Sequence, residues 1–380
     1  MHAERPAGAV LRVRLLPTLP FHAGISMQVY ASGLIASLAG LPGVSAELLT
    51  PPFASQPGIG WARSRWIRYV TYPTWAAAQS ADLYHVVDHG NAQLLWRLPG
   101  AKTVVTCHDL YPLALATGRI RIPGAPRRAR MIPTALRLRA LRRARLILTV
   151  SRHTANECQR YLGIPAANLR VVYESVPSEF WAPCETAEAA ATRTRLGLGP
   201  EDLIVLHVGS NDARKNLATV CRVVARLRER RIREVRLLKV GAPFGPVERN
   251  ALHREGIPQD VARHAGRVDM AELVRIYHVA TVLLYPSFYE GFCRPVVEAM
   301  AAGLPVVASR TGAIPEVAAS AAALYEPNDA EGMAECIAEI AEDPGRHRAM
   351  AAAGRDASRR FAAAGHGRAL ADVYREVCAG

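Results

Sequence analysis

Short, uninterrupted apolar runs recur along this 380-residue chain and alternate with segments of helical pattern. The pattern predicts strands at VLRVRLL (10–16), AELLT (46–50), ADLYHVV (81–87), TVVTCHD (103–109), RLILTV (145–150) and LRVVYE (169–174). It continues at LIVLHVG (203–209), VRLLKVG (235–241), TVLLYPS (281–287), PVVAS (305–309) and AALYE (322–326). Most of these runs are continuous, as expected of strands covered on both faces. Strand–helix alternation of this kind makes parallel sheets. About eleven strands are too many for one compact sheet at this length, so the reading is α/β with two doubly wound domains. The boundary falls in residues 176–202, rich in Pro, Gly and Ala and without a strand signal. Open sheets of this type bind ligands outside the carboxyl ends of their strands.

Half of the residues are hydrophobic and 21% are charged, the balance of a chain with a sizeable core. The net charge of +14 is unevenly placed: residues 1–178 hold 21 basic and 7 acidic side chains, and residues 179–380 hold 26 of each. That asymmetry suggests two units meeting different partners. No apolar run approaches the roughly 18 residues of a membrane-spanning helix. The opening Met1-His2-Ala3-Glu4-Arg5-Pro6 lacks the pattern of a signal peptide. Seven cysteines without a C-x-x-C pair point to reduced thiols in a cytoplasmic protein, and away from a disulfide frame or structural zinc. Arginine outnumbers lysine 44 to 3, a compositional habit that makes arginine abundance alone weak functional evidence.

The most informative stretch is YPSFYEGFCRPVVEAMAAGLPVVAS (285–309). A strand runs into a turn at Tyr289-Glu290-Gly291, Pro295 suits the first turn of a helix, and Gly303 suits its end. Glu290 then lies in a strand-to-helix loop and Glu298 about one turn inside the helix. Gly291 allows close backbone approach to a ligand, and a helix N-terminus offers unpaired N–H groups to an anion. Two carboxylates flanking an anion site suit a ligand rich in hydroxyls as well as phosphate.

Glu290 and Glu298, with seven residues between them and set in YEGF…P…EAMAAGLPVVAS, resemble the signature of the retaining glycosyltransferases of family 4. Further segments resemble that family in order. They are HAGIS (22–26), TVVTCHDL (103–110), LTVSRHTANECQRYLGIPAANLRVVYESV (148–176), HVGSNDARKNL (207–217) and GAIPEV (312–317). Within the family the pattern is most similar to mannosyltransferase-like members of bacterial surface polysaccharide biosynthesis.

The resemblance implies a GT-B fold, two Rossmann-like domains facing a central cleft. Residues 1–178 would bind the acceptor and residues 179–362 the nucleotide-sugar, with a C-terminal helix at about 363–380 packing back on the first domain. It implies transfer with retention, no cofactor beyond a GDP- or UDP-linked sugar as co-substrate, and no bound metal. In such a site cations and helix dipoles stabilise the departing diphosphate. Arg214 and Lys215, one of only three lysines, match the residues that hold it. Many relatives carry Arg where this chain has Ser210, so the phosphate contacts lean on Arg214 and Lys215. Glu290 would bind sugar hydroxyls, aided by the backbone of Gly291, Phe292 and Cys293. Glu298 would bind the ribose, and Gly266 to Val268 the base. Cys293 and Arg294 depart from the commoner Gly-Leu, and Cys in place of Gly restricts the backbone there. Gly24, Ile25 and Ser26 match the loop that closes on the donor phosphates. His108 matches a histidine beside the reacting sugar, and no general base is assigned. Asp88, His89 and Asp109 are expected in the acceptor site. His85 and His89 are spaced i, i+4, but they follow a strand and do not read as a metal site.

Residues 110–156 contain eleven Arg and no Asp or Glu, with ten of the Arg between Arg119 and Arg145. From Met131 onward Ile132, Leu136, Leu138 and Leu141 are spaced among arginines as on an amphipathic helix. That suits an anionic membrane surface, with Trp61, Arg63, Arg65, Trp66 and Arg68 as an aromatic–basic edge. The alternative is a solvated arginine-rich face. No nucleic-acid-binding motif accompanies the charge, so nucleic acid is not an expected partner. The competing functions are a sugar-nucleotide epimerase or glycosyl phosphorylase on the same frame, and a degenerate glycan-binding protein. A dinucleotide oxidoreductase is disfavoured because no G-x-G-x-x-G follows a strand.

Overall fold

The computed structural model describes residues 10–19, 25–54, 60–125, 128–231 and 233–379. They form two compact units. Unit 1 comprises Met1–Ile120, Pro126–Ser175 and Ala363–Gly380, and unit 2 comprises Arg121–Ala125 and Val176–Ala362.

Unit 1 holds β1 (Leu11–Leu16), β2 (Val44–Leu48), β3 (Leu83–Val86), β4 (Thr103–Cys107), β5 (Leu146–Thr149) and β6 (Leu169–Val171). All pair in parallel in the order β2-β1-β3-β4-β5-β6. Alternate residues of these strands feed two cores. Val13, Leu15, Leu83, Val104 and Leu148 pack with Tyr30 and Leu34 of the helix Ile25–Leu38, and with Leu370, Tyr374 and Val377 of the helix Ala363–Ala379. Leu16, Val86, Val105, Cys107 and Ile147 pack the other face with Leu138, Leu141, Cys158 and Leu162. The C-terminal helix is therefore part of the core of unit 1.

Unit 2 holds β7 (Leu203–Gly209), β8 (Val235–Gly241), β9 (Ala262–Gly266), β10 (Val282–Tyr285), β11 (Val306–Ser309) and β12 (Ala323–Tyr325), all parallel, in the order β12-β11-β10-β7-β8-β9. β9 was not among the strands expected from sequence. Its residues, ARHAG, lack an apolar run because it is a half-buried edge strand paired on one side only. Both sheets change direction of growth beside their first strand, between β1 and β3 and between β7 and β10. Such switch points open a crevice at the carboxyl ends of the strands.

The basic segment folds as the helix Arg128–Leu138, with Pro133 inside it, followed by a 3-10 turn Arg139–Arg143. The amphipathic spacing divides there: Leu138 and Leu141 are buried in the core, and Ile132 and Leu136 are exposed among the arginines. Among the described residues no helix is long and apolar enough to cross a membrane.

Candidate functional site

Two loops leave neighbouring strands at the switch point of unit 2. After β7, Asp212 caps a short 3-10 turn by accepting the Arg214 N–H at 2.9 Å. Asn216 then takes a left-handed conformation and opens the helix Leu217–Arg230. Its side-chain amide donates to the carbonyls of Pro286 (3.0 Å) and Pro327 (2.7 Å), and the Phe288 N–H donates to the Arg214 carbonyl at 2.7 Å. These bonds lock the loop after β7 to the loop after β10. The lock brings Lys215 onto Glu290, Nζ to Oε1 2.7 Å, with a second bond from Nζ to the Tyr285 hydroxyl at 2.5 Å. Both charged side chains are buried. Burial pushes the Glu290 carboxyl up, but Lys215, Arg214 and hydrogen bonds outweigh it, so Glu290 stays below the usual carboxylate range.

Gly312 supports this loop from beneath. Its φ is +55°, and a Cβ there would stand 2.3 Å from the Glu290 carbonyl oxygen. The Ala313 N–H donates to the same carbonyl at 3.0 Å. Beyond Glu290, Gly291, Phe292 and Cys293 are buried, and Cys293 adopts φ +78°, ψ +62° at the N-cap of the helix Arg294–Ala302. A non-glycine residue thus stands in a conformation that favours glycine, which matches the glycine expected from relatives. Glu298 is buried in this helix and is already engaged: Arg294 Nε lies 2.8 Å from Oε1, and the Tyr277 hydroxyl donates to Oε2 at 2.9 Å. Arg294, which replaces the commoner Leu, is therefore the partner of Glu298. A carboxylate keeps lone pairs for further donors. Ser210 is exposed after β7, and Gly266, at φ +78°, ends β9 just before Val268.

In unit 1, His108 follows β4 and is buried. Its Nδ1 meets Glu174 Oε1 at 3.1 Å, and Nε2 donates to the Val87 carbonyl at 2.9 Å. Burial acts against its charge, but the Glu174 hydrogen bond and charge outweigh it and raise the imidazole to about 9. His108 is thus an imidazolium with both N–H groups directed at protein acceptors. His89 accepts the His108 backbone N–H at Nδ1, 3.2 Å, and burial lowers its pKa despite Asp88 and Asp109. Asp88 accepts from the Gly90 N–H at 2.7 Å and the Thr18 hydroxyl at 2.7 Å. Asp109 caps the next turn through the Tyr111 N–H, 3.1 Å. His108, His89, Asp88 and Asp109 therefore meet at the carboxyl ends of β3 and β4. His85 points elsewhere, to Tyr374 and Thr106, at 2.7 Å each. Gly24 lies outside the described residues, and Ile25 and Ser26 open the helix Ile25–Leu38. Among the described residues no three His, Cys, Asp or Glu side chains group as metal ligands.

Sequence reasoning did not single out Tyr285, Tyr277, Gly312 or Glu174. Glu174 carried a signal, being one of seven acids in the first 178 residues. Gly312 lay in a quoted segment, but only the fold sets it under Glu290.

Two parallel-sheet units with charged residues gathered at the carboxyl ends of their strands make a frame of the GT-B type. Sucrose-phosphate synthase from Thermosynechococcus elongatus superposes with a TM-score of 0.79 at 21% identity, covering 97% of this chain and 99% of that one. HepE from Anabaena in complex with UDP-glucose gives 0.73 at 16%, covering 96% and 100%. Residues 23–180 match the model of Glycosyltransferase Family 4, and residues 189–357 match that of Glycosyl transferases group 1. The chain belongs to glycosyltransferase family 4. O-antigen chain mannosyltransferase B of Escherichia coli is 30% identical over 201 residues, 53% of this chain and 52% of that protein. The matched region thus spans about half the length of that relative.

Proposed function

We propose that this glycosyltransferase moves a hexose, mannose-like in preference, from a GDP- or UDP-linked donor to a glycan or lipid-linked acceptor in surface polysaccharide synthesis, with retention at the anomeric carbon. The observation that carries the reading is the buried Lys215–Glu290 pair at the switch point of unit 2. Lys215 has one N–H left for the departing diphosphate after Tyr285 and Glu290 are served. Arg214 and the N-terminus of the helix Arg294–Ala302 add positive potential, so the site neutralises the leaving group without a metal. The remaining Glu290 oxygen accepts from sugar hydroxyls, Glu298 from the ribose, and Gly266 to Val268 read the base. The likeness to HepE, solved with UDP-glucose, supports a nucleotide-sugar donor. The likeness to the E. coli mannosyltransferase supports the sugar class.

In unit 1 the reading assigns Asp88, His89 and Asp109 to the acceptor, and Gly24, Ile25 and Ser26 to the donor phosphates. His108, charged and tied on both nitrogens, acts as a fixed cation beside the reacting sugar and not as a base. In front-face displacement the leaving phosphate takes the acceptor's proton, so no protein base is needed.

The cytoplasmic face of a membrane is the proposed location. Trp61, Trp66, Ile132 and Leu136 are exposed on unit 1 among Arg63, Arg65 and Arg139. Arg137 Nη1 bonds the Tyr69 hydroxyl at 3.0 Å, which joins the helix Arg128–Leu138 to the Trp-bearing segment. Co-sedimentation with anionic liposomes is expected to be strong at low salt and weak at high salt; no binding at any salt contradicts it. The donor is tested by thermal shift against GDP-, UDP- and ADP-sugars: one raises Tm, and no shift with any of them removes the reading.

A further inference from the structure

Lys239 is the other lysine of unit 2, in a chain that uses arginine at 44 of 47 basic positions. Like Lys215 it is buried, with no exposed surface, and it lies near the carboxyl end of its strand, β8. An ammonium is a compact point charge where a guanidinium is a planar fork. Lys239 Nζ donates to the Gly209 carbonyl at 3.3 Å, at the end of β7, and to the Ala242 carbonyl just past β8. The Gly209 carbonyl also accepts the Ala242 N–H at 3.3 Å. It presses so close on Gly241 that a Cβ there would stand 2.5 Å away. Lys239 therefore clamps the turns leaving β7 and β8, and the first of these runs through Ser210 to Arg214 and Lys215.

The groups around it leave its charge uncompensated. His207 on β7 and His264 on β9 stand in register with it. His207 is held neutral by burial, with its pKa at about 3; its Nδ1 donates to the Leu284 carbonyl at 3.2 Å, and Nε2 is buried with no partner. His264 Nε2 is turned to the Gly241 carbonyl, 3.1 Å. Glu248, on the helix Pro246–Arg254, is committed to the Gly245 N–H at 2.8 Å. The Phe244 ring lies 5.7 Å from Nζ, and Lys215 approaches from the turn after β7. Among the described residues no carboxylate lies within ion-pair distance, although a buried charge ordinarily has a partner. Burial lowers the Lys239 pKa to about 8, with Glu248 acting the other way.

We propose that Lys239 is a positioning residue of the donor site whose counter-ion is the diphosphate of the bound donor: it fixes the turns after β7 and β8 and sets behind them a charge that the ligand completes. The inference rests on reading unit 2 as the donor unit. An anion bound in front of Gly209 raises the affinity of Lys239 for its proton. Each unit of that rise is about tenfold tighter binding by the protonated form.

Titration calorimetry of the full chain with GDP and with UDP, between about pH 7.5 and 9.5, tests this. Near pH 8.5 the diphosphate has already lost its last proton, and His108, raised to about 9, is the other group placed to change its proton there. Comparison of two buffers of different ionisation heat reports the net proton uptake, and the part that Lys239→Met removes is that of Lys239. Wild type is expected to take up a proton and to lose about tenfold in affinity across the range. Lys239→Met is expected to bind about tenfold more weakly at the low end, with the Lys239 part of the uptake and of the slope gone. Binding without proton uptake in wild type, or equal uptake in Lys239→Met, overturns the inference and leaves the donor site standing. Failure of wild type to bind either nucleotide at pH 7.5 overturns the donor-site reading and this inference with it. Where the Met variant does not fold, His108→Gln decides: uptake that survives in it belongs to Lys239, and its disappearance overturns the inference.

Discussion

Glu290 shows how a single charge is kept in a place that would otherwise extinguish it. Lys215 at 2.7 Å holds it ionised, and each partner is what makes burial of the other tolerable. Glu290→Ala and Lys215→Ala are each expected to lower sugar transfer by about 100-fold or more. Lys215→Ala also leaves a buried carboxylate unpaired, a loss of about 3–5 kcal/mol. The double variant Lys215→Met/Glu290→Met is therefore expected to melt above Lys215→Ala while remaining inactive, which calorimetry and a transfer assay check together. His108 gives the pH counterpart. Its folded pKa of about 9 lies above the usual imidazole value of about 6.5. The stabilisation is full below the lower value and disappears as pH rises through the upper one. Lys239 runs the other way, because its lowered pKa makes its charge a cost that deprotonation relieves. The Tm difference between wild type and Glu174→Gln cancels that contribution. It is expected to be largest near about pH 6.5 and to close by about pH 10. A gap that does not vary with pH contradicts the His108–Glu174 pairing.

Elements set these residues in place through their ends. The loop carrying Glu290 rests on Gly312, and Gly312→Ala forces a methyl group against main chain that cannot swing away. The expected cost is about 1–3 kcal/mol in Tm terms, with weakened donor affinity. Gly365→Ala, in the helix Ala363–Ala379 with open space at its Cβ, is the control and is expected to be neutral or slightly stabilising. The eleven strands expected from sequence all form, shortened by a residue or more at most ends, because buried parallel strands announce themselves as apolar runs. β9 gave no such signal, being polar and at an edge. The loops around Glu290, Glu298 and Lys215 were legible because motif spacing survives in sequence. The contacts of Glu174 with His108 and of Lys239 with Gly209 were not, since they join residues 66 and 30 positions apart through the sheet registers.

At the scale of the molecule, the chain returns to unit 1 with its last helix. Tyr374 and Leu370 are fully buried there, and Tyr374 bonds His85. Each large buried side chain contributes about 1.5–3 kcal/mol. Truncation after Ala362 is expected to lower the melting of unit 1 while unit 2 keeps its own transition, a split that calorimetry resolves. The charge excess of residues 1–178 also belongs to this scale: one unit carries the basic and aromatic surface, and the other, neutral overall, carries a few buried cations. The proposed transfer is tested most directly by NMR of the product formed from an α-linked GDP- or UDP-hexose and an acceptor glycan. The account predicts an α-linked product and free nucleoside diphosphate in equal amounts, both lost in Glu290→Ala. An inverted linkage, an isomerised sugar nucleotide, a released sugar phosphate, or an unchanged product from Glu290→Ala contradicts it.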